Sequence, residues 1–295
     1  MTAAPRPGHL LRLGARVLDL RGRTLVMGVI NCTPDSFYPG GRHREPEQAV
    51  RRYHEVVEEG AHLADVGGES TRPGSEPVTA EEEWARIAPV VEAARRAGHP
   101  VPLSVDTTKY DVAARALDAG AAMLNDVSAL RFEPRLADLA AHHGAGLVLM
   151  HMQGTPATMQ RDPAYRDPVA EIRGELATAV SLAAARGVAA EQILVDPGIG
   201  FGKTLAHNLT LLARLNEFAL LGRPILIGCS RKGFLGAILD GPPAERLEGT
   251  LAAHAAAVCA GASVVRVHDV RAHVRAMKVL DAVLAARSGT VSRDA

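Results

Sequence analysis

The sequence predicts an α/β fold, a (β/α)8 barrel of the TIM type with a short N-terminal β-hairpin, built as one domain over residues 1–295. Three observations lead there. Short apolar runs rich in Val, Leu and Ile alternate eight times with longer Ala/Leu/Arg segments of helical period, the pattern of parallel βα units. Six glycines, Gly60, Gly98, Gly120, Gly144, Gly187 and Gly261, each stand just past a helical segment, where a left-handed residue ends a helix. An open doubly wound sheet would need a glycine-rich turn after an early strand; here the first strand leaves through Asn31-Cys32-Thr33-Pro34-Asp35.

Taken in order, residues 11–24 read as the hairpin, turning at Gly22 and closing the barrel floor. Strands follow at 25–31, 62–67, 102–106, 123–127, 146–150, 193–196, 224–228 and 263–268. Helices alternate with them. Those at 47–59, 80–97, 110–118, 134–142, 168–186 and 245–259 run up to the six glycines, while 207–217 and 270–286 rest on helical period alone. The ends, 1–10 and 288–295, are polar or Pro/Gly-rich and read as flexible. A length of 295 residues allows two average domains, yet single α/β barrels reach ~250 residues, so one domain is the better reading.

Composition removes several classes of function. Lys and Arg number 33 against 33 Asp and Glu, with no long run of one sign, which argues against nucleic-acid or membrane binding by charge. Ten aromatic residues are too few for a groove that stacks single strands. No apolar run approaches the ~18 residues of a membrane span, and residues 1–9 carry no signal-like core, so the chain reads as cytoplasmic. Cys32, Cys229 and Cys259 have neither disulfide nor zinc spacing and read as small buried residues in a reducing compartment. Of the basic residues only Lys109, Lys203, Lys232 and Lys278 are lysines, so a Lys marks a place that needs a compact ammonium.

A barrel of this type does its chemistry where the strands end. Every predicted strand delivers polar groups there: Asn31; Asp65 into Glu69-Ser70-Thr71-Arg72; Asp106-Thr107-Thr108-Lys109; Asn125-Asp126; His151 and Gln153; Asp196 to Lys203; Ser230-Arg231-Lys232; and Arg266, His268 and Asp269. Burying Asp106, Asn125 or Asp196 unpaired costs ~1–3 kcal/mol each, so a ligand with many hydrogen-bonding edges is expected to pair them. Two carboxylates and an amide suit an amino-pyrimidine edge, because a carboxylate accepts two parallel N–H bonds. Asn31, Arg72, Arg266 and His268 offer cationic or amide donors without a matching run of acids, which suits a phosphate or pyrophosphate.

Other chemistries fit less well. Residues 196–204 approach a P-loop, but Pro197 stands where its first glycine belongs, so the segment reads as a loop that lets a flat ligand approach the backbone. No pair of histidines or cysteines has rim zinc spacing. Mg2+, which takes few protein ligands beside substrate phosphates, fits near Asn31. Ser230 and Cys229 lack an orienting Asp-His pair.

The fragments Met27 to Phe37, Asp65 to Gly74, Ser104 to Thr107, Asn125 to Ser128, Asp196 to Lys203, Ser230 to Lys232 and Arg266 to Asp269, in that order, resemble the dihydropteroate synthases of folate biosynthesis. The resemblance implies a transferase that joins 6-hydroxymethyl-7,8-dihydropterin pyrophosphate to p-aminobenzoate and releases pyrophosphate. It implies that Asp106, Asn125, Asp196 and Lys232 hold the pterin, with Arg266 stacked on its face and Phe201 and Gly228 lining the site. It places Asn31 and His268 on the pyrophosphate, with Mg2+ on Asn31, and gives Thr71, Arg72, Pro73 and Ser230 to p-aminobenzoate. Asn31, Asp106, Lys232, Arg266 and His268 are then the catalytic set, and a homodimer is the implied assembly.

Two departures from the family pattern stand out. The first loop reads Asp35-Ser36-Phe37-Tyr38-Pro39-Gly40-Gly41, with Tyr-Pro where an acid is usual, and Cys32 replaces an aliphatic residue. The loop change motivates an alternative, a synthase-like paralogue that binds pterin without synthase activity. A methyltetrahydrofolate:corrinoid methyltransferase shares this barrel type, but explains neither Thr71-Arg72-Pro73 nor Ser230-Arg231-Lys232.

Overall fold

Eight parallel strands close around a barrel in the computed structural model, which describes residues 10–33, 45–72 and 74–287. An antiparallel hairpin comes first, β1 (Leu10–Leu13) and β2 (Arg16–Asp19). The barrel strands are β3 (Leu25–Asn31), β4 (Leu63–Gly67), β5 (Leu103–Asp106), β6 (Met123–Asp126), β7 (Gly146–Met150), β8 (Ile193–Asp196), β9 (Leu226–Ile227) and β10 (Val264–Val267). Their order around the sheet is β8-β7-β6-β5-β4-β3-β10-β9, and a parallel bridge from Val195 to Ile225 brings β9 back to β8. Strand β9 is shorter than the predicted 224–228 because Pro224 has no N–H for the ladder; its carbonyl still accepts from Val195 N at 3.0 Å.

The helices are α1 (Glu45–Glu58), α2 (Ala80–Arg96), α3 (Tyr110–Asp118), α4 (Leu136–His143), α5 (Pro168–Ala185), α6 (Leu205–Ala213), α7 (Gly233–Leu239), α8 (Leu247–Cys259) and α9 (Val270–Arg287). All six glycines named as helix stops have positive φ. Gly144, at φ 63°, is the left-handed cap of α4. Caps also start helices: Thr79 accepts from Glu82 N at 3.2 Å ahead of α2, and Asp167 precedes Pro168 at α5. The predicted helix 207–217 divides into α6 and a 3-10 turn, Leu215–Leu221. Helix α7 has no counterpart in the prediction; its seven residues, GFLGAIL, are too few to display a helical period.

The core has two main parts. The larger lies between the barrel and its helices. The second fills the lower barrel, where Leu25, Met27, Leu63, Met123, Val148, Leu194, Leu226 and Val264 meet Leu11, Leu13 and Leu20 of the hairpin. The hairpin therefore stoppers the floor, as expected, and each of its buried leucines stabilises by ~1.5–3 kcal/mol. It turns at Gly14-Ala15 and not at Gly22, which lies in the next turn, ahead of β3. Gly14 N donates to Gly144 O at 2.8 Å and Arg12 to Gln192 Oε1 at 2.9 Å, fastening the stopper.

Strand register carries the fold to the site. Asn31 lies opposite Gly67, Gly67 opposite Asp106 and Asp106 opposite Asn125, so neighbouring strands bring these residues into one row at the C-terminal rim. On the other side of the barrel Met150 is level with Asp196.

Candidate active site

One seam of charge crosses the barrel mouth. Arg266 Nε donates to Asp65 Oδ2 at 2.6 Å and its Nη2 to Asp106 Oδ2 at 3.0 Å, while Asn125 Nδ2 donates to the same Asp65 oxygen at 3.0 Å. Arg266 is thus matched by two carboxylates, a correction to the reading of it as a cation without acids. Asp65 is fully buried and its Oδ1 has no partner. Burial pushes the Asp106 carboxyl up to about 7; Arg266 opposes the rise and Asp65, Glu83 and Asp126 add to it. Asp126 itself turns away, accepting from Ser128 N, Ser128 Oγ and Leu130 N, and so caps the β6 exit, where Ala129 and Leu130 have positive φ.

Across the mouth, Asp196 is 5% exposed and accepts from Gly198 N at 2.7 Å. Burial raises its pKa, with Lys232 opposing. Lys232 stands 4.3 Å from the Phe201 ring centroid and donates to Ile199 O. Burial brings its ammonium down to about 8, against the pull of Asp196. Gly228 leaves the space between, since a Cβ there would lie 3.8 Å from both Arg266 Cβ and Lys232 Nζ. Gly198, at φ 70°, passes so close to the His151 carbonyl that no side chain fits. Val127, Met150, Met152 and Met159, with Phe201 against them, form a soft apolar wall beside these polar groups. The structure therefore brings Asp106, Asn125, Asp196, Phe201, Gly228, Lys232 and Arg266 into one mouth.

The anion side is a separate cavity of about 550 Å3, lined by Asn31 and His268 together with Arg52, Arg231, Arg271 and Arg275. Its acids are engaged: Glu59 pairs with Arg52 and Asp269 with Arg231. Ser230 Oγ accepts the His268 backbone N–H at 3.1 Å and lies 2.9 Å from His268 Nδ1. Burial, with Arg266 and Arg231 nearby, lowers His268 to about 4, so it is a neutral donor and not the cation that the sequence suggested. Arg52 also donates to His268 O at 2.7 Å.

A second cavity, about 310 Å3, holds Thr71 and Asp106 among its walls, with Phe132 and Pro156. Arg72 is exposed and lines neither cavity. Pro73 and the Tyr38-Pro39 segment lie outside the described residues. In its wall Lys109 bridges Glu69 and the buried Glu83. Lys203 is 3% exposed and donates to Phe201 O at 2.8 Å, with His151 Nδ1 at 3.0 Å. Three of the four lysines thus occupy the rim. Sequence reasoning put Asp65 at its strand's exit without giving it a role, and it passed over Arg52. Asp65 had a signal, since it breaks the apolar run of its strand as Asp106 does; Arg52, in the middle of a polar helix face, had none.

The donor set bears on a metal. No group of three His, Cys, Asp or Glu that could hold an ion occurs among the described residues. Asn31 offers one amide oxygen, which fits an ion that keeps its waters and arrives on a phosphate better than a resident one. Cys32 and Cys229 are buried and unpaired, and burial pushes both thiols up to about 12. No described helix is long and apolar enough to cross a membrane.

Comparison with known proteins agrees with this geometry. The model of a family described as pterin binding enzyme matches residues 27–268. A dihydropteroate synthase from Synechocystis is 47% identical over 274 residues, 92% of this chain and 94% of its own. The structure of the Xanthomonas albilineans dihydropteroate synthase with 4-aminobenzoic acid superposes with a TM-score of 0.86 at 45% identity, covering 94% of this chain and 99% of its own. The same enzyme in complex with 7,8-dihydropteroate gives 0.83 at 42% identity, covering 93% and 99%.

Proposed function

The chain belongs to the family of pterin-binding enzymes, and from that premise we propose how its rim divides the work of a dihydropteroate synthase. The reaction is a transfer: the bond from the pterin methylene to the pyrophosphate oxygen breaks, a bond to the p-aminobenzoate nitrogen forms, and that nitrogen gives up a proton. The observation that carries the reading is the Asp65–Arg266–Asp106 seam with Asn125, Asp196 and Lys232 around it. Relatives that are synthases at this identity favour it over a pterin-binding paralogue without activity.

Asp196 and Asp106 accept from the amino-pyrimidine edge, Asn125 adds an amide, and Phe201 with the methionine wall takes the ring face. As the methylene becomes cationic, positive charge shared with the ring adds to Arg266 in favouring the carboxylate form of Asp106, whose pKa is raised in the free protein. Arg266 is held by two acids and presents its plane to the ring. His268 and the arginines of the larger cavity meet the departing anion. An aniline is a nucleophile at neutral pH without a strong base, so the transfer needs no activated side-chain nucleophile. Thr71, Arg72, Pro73 and Ser230 are assigned to p-aminobenzoate.

Asn31 would hold Mg2+ together with the pyrophosphate oxygens; bound there, the ion offsets charge on the leaving group. A cytoplasmic location suits the free thiols. A homodimer is supported by exposed Leu205 and Leu209 on α6 and Val279 and Val283 on α9, which flank the exposed Ala252 and Ala256 of α8. Sedimentation at micromolar concentration tests it, and a monomer would remove it.

The test of function is to incubate the purified protein with dihydropterin pyrophosphate, p-aminobenzoate and Mg2+. Dihydropteroate is followed by mass, together with pyrophosphate release. Product that depends on both substrates and falls with chelator is expected. A folded, pterin-binding sample that gives none would overturn the reading.

A further inference from the structure

Behind the rim the molecule buries two histidines that touch neither cavity. His254 on α8 and His273 on α9 are fully buried, and their rings meet edge to face with centroids 5.0 Å apart. His254 Nε2 lies 2.9 Å from Cys229 N, a donor, so this nitrogen carries a lone pair and the ring proton sits on Nδ1. His273 Nδ1 lies 2.7 Å from the Asp269 carbonyl, an acceptor, so here the proton is on Nδ1 and the lone pair on Nε2. The two nitrogens left over, His254 Nδ1–H and His273 Nε2, are both buried without a partner, and one is a donor while the other is an acceptor. Burial holds both rings below the ordinary histidine pKa and so keeps both in the neutral form this polarity requires.

We infer that His254 and His273 are positioning residues, linked in a directional hydrogen-bond chain from Cys229 N–H through both imidazoles to the Asp269 carbonyl, that keeps the β9 and β10 exits in register. The link between the rings is one bridging water, which would accept from His254 Nδ1–H and donate to His273 Nε2, the two buried nitrogens that have no partner of their own. Each end of the chain is one residue from a group the reaction uses: Cys229 precedes Ser230, and Asp269 follows His268. On the side of the larger cavity the same two exits are joined by Ser230 to His268 and by Arg231 to Asp269, while Thr250 of α8 receives Arg231 N at 3.2 Å. The histidine chain is the deeper counterpart of that clasp. It deepens the function proposed above, because it rests on Ser230 serving the amine and His268 the pyrophosphate.

The experiment uses full-length protein with 15N-labelled histidine. Long-range proton–nitrogen correlation is expected to show both buried rings neutral with the proton on Nδ1, and His254→Leu is expected to move the His268 ring signals. In turnover, His254→Leu and His273→Leu should each lower kcat/KM for both substrates about tenfold. The double variant should be no worse than either single one. His254→Gln restores an acceptor for Cys229 N–H and His273→Asn a donor for Asp269 O, and each should recover most of the loss. An Nε2–H tautomer at either ring, unmoved His268 signals, or single losses that multiply in the double variant would overturn the chain. The wild-type spectra stand even if a leucine variant fails to fold. Wild-type protein with the expected spectra but no turnover would instead overturn the synthase reading.

Discussion

Replacing Asp106 with Asn should stabilise the protein and cripple it, and the size of the gain follows from where the carboxylate lies. Asp106 is 12% exposed, within 3.0 Å of one cation that it shares with Asp65, and it faces further negative charge from Glu83 and Asp126. The rise from 3.8 to about 7 corresponds to roughly 4 kcal/mol at ~1.4 kcal/mol per pH unit. Relaxation of the neighbours takes part of this, so we expect Asp106→Asn to gain about 2–4 kcal/mol above neutrality. In a chain of this size that is about 4–8 °C in Tm. The sign is fixed by linkage: a carboxyl whose folded pKa is raised costs stability only where the unfolded chain is ionised. The gain should be absent below about pH 4, grow as pH rises to about 7, and level off above. Thermal melts from pH 4 to 8.5 measure it. Turnover should fall by about 10^2-fold or more, because the charge that the free protein tolerates at a cost is the one that meets the developing cation. A variant no more stable than the parent at pH 8, or stabilised equally at every pH, would mean that Arg266 fully compensates Asp106 and that the charge is not held in reserve.

Other perturbations probe separate parts of the argument. Leu13→Ala, in the floor, should cost about 2–5 kcal/mol in denaturant unfolding yet leave KM for both substrates unchanged, since the site is at the other end of the barrel; a raised KM would contradict that separation. Gly144→Ala meets only backbone strain and should cost about 1 kcal/mol by the same measurement, whereas Gly198→Ala must displace the His151 carbonyl and should abolish pterin binding by calorimetry. Equal effects from the two would refute the crowding at Gly198. A thiol reagent at pH 8 should leave Cys32 and Cys229 untouched in the folded protein and reach them on unfolding, as mass mapping of the labelled sites would show.

The strands were legible because buried parallel strands are written as short apolar runs, and the helix ends because glycine marks a left-handed stop. Hence β3, β5 and β8 lie within a residue of expectation, while α7 could not be foreseen from seven residues without a period. The polar interruptions Asp106, Asn125 and Asp196 pointed to the mouth for the same reason, and Asp65 obeyed that rule without being singled out. What the residues alone did not disclose was pairing. Arg266 reads as an anion receptor until the barrel places two carboxylates beside it, and His268 reads as a cation until burial and two arginines make it neutral. Charge state belongs to the assembled neighbourhood, and the partners here come from strands far apart in the chain.

The floor stopper bears on the order in which the molecule is made. Residues 10–19 leave the ribosome ahead of the barrel strands, yet the groups that fasten them come much later: Gly144 follows Gly14 by 130 residues and Gln192 follows Arg12 by 180. Until then Leu11, Leu13 and Leu20 have no cavity to enter, and Leu194, Leu226 and Val264 complete it later still. The hairpin must wait as an exposed apolar segment for most of translation, and its docking is a late, long-range step whose loop entropy is met only at closure. Slow, chaperone-sensitive folding is the consequence, with the N-terminal leucines as the segment at risk of finding another partner first.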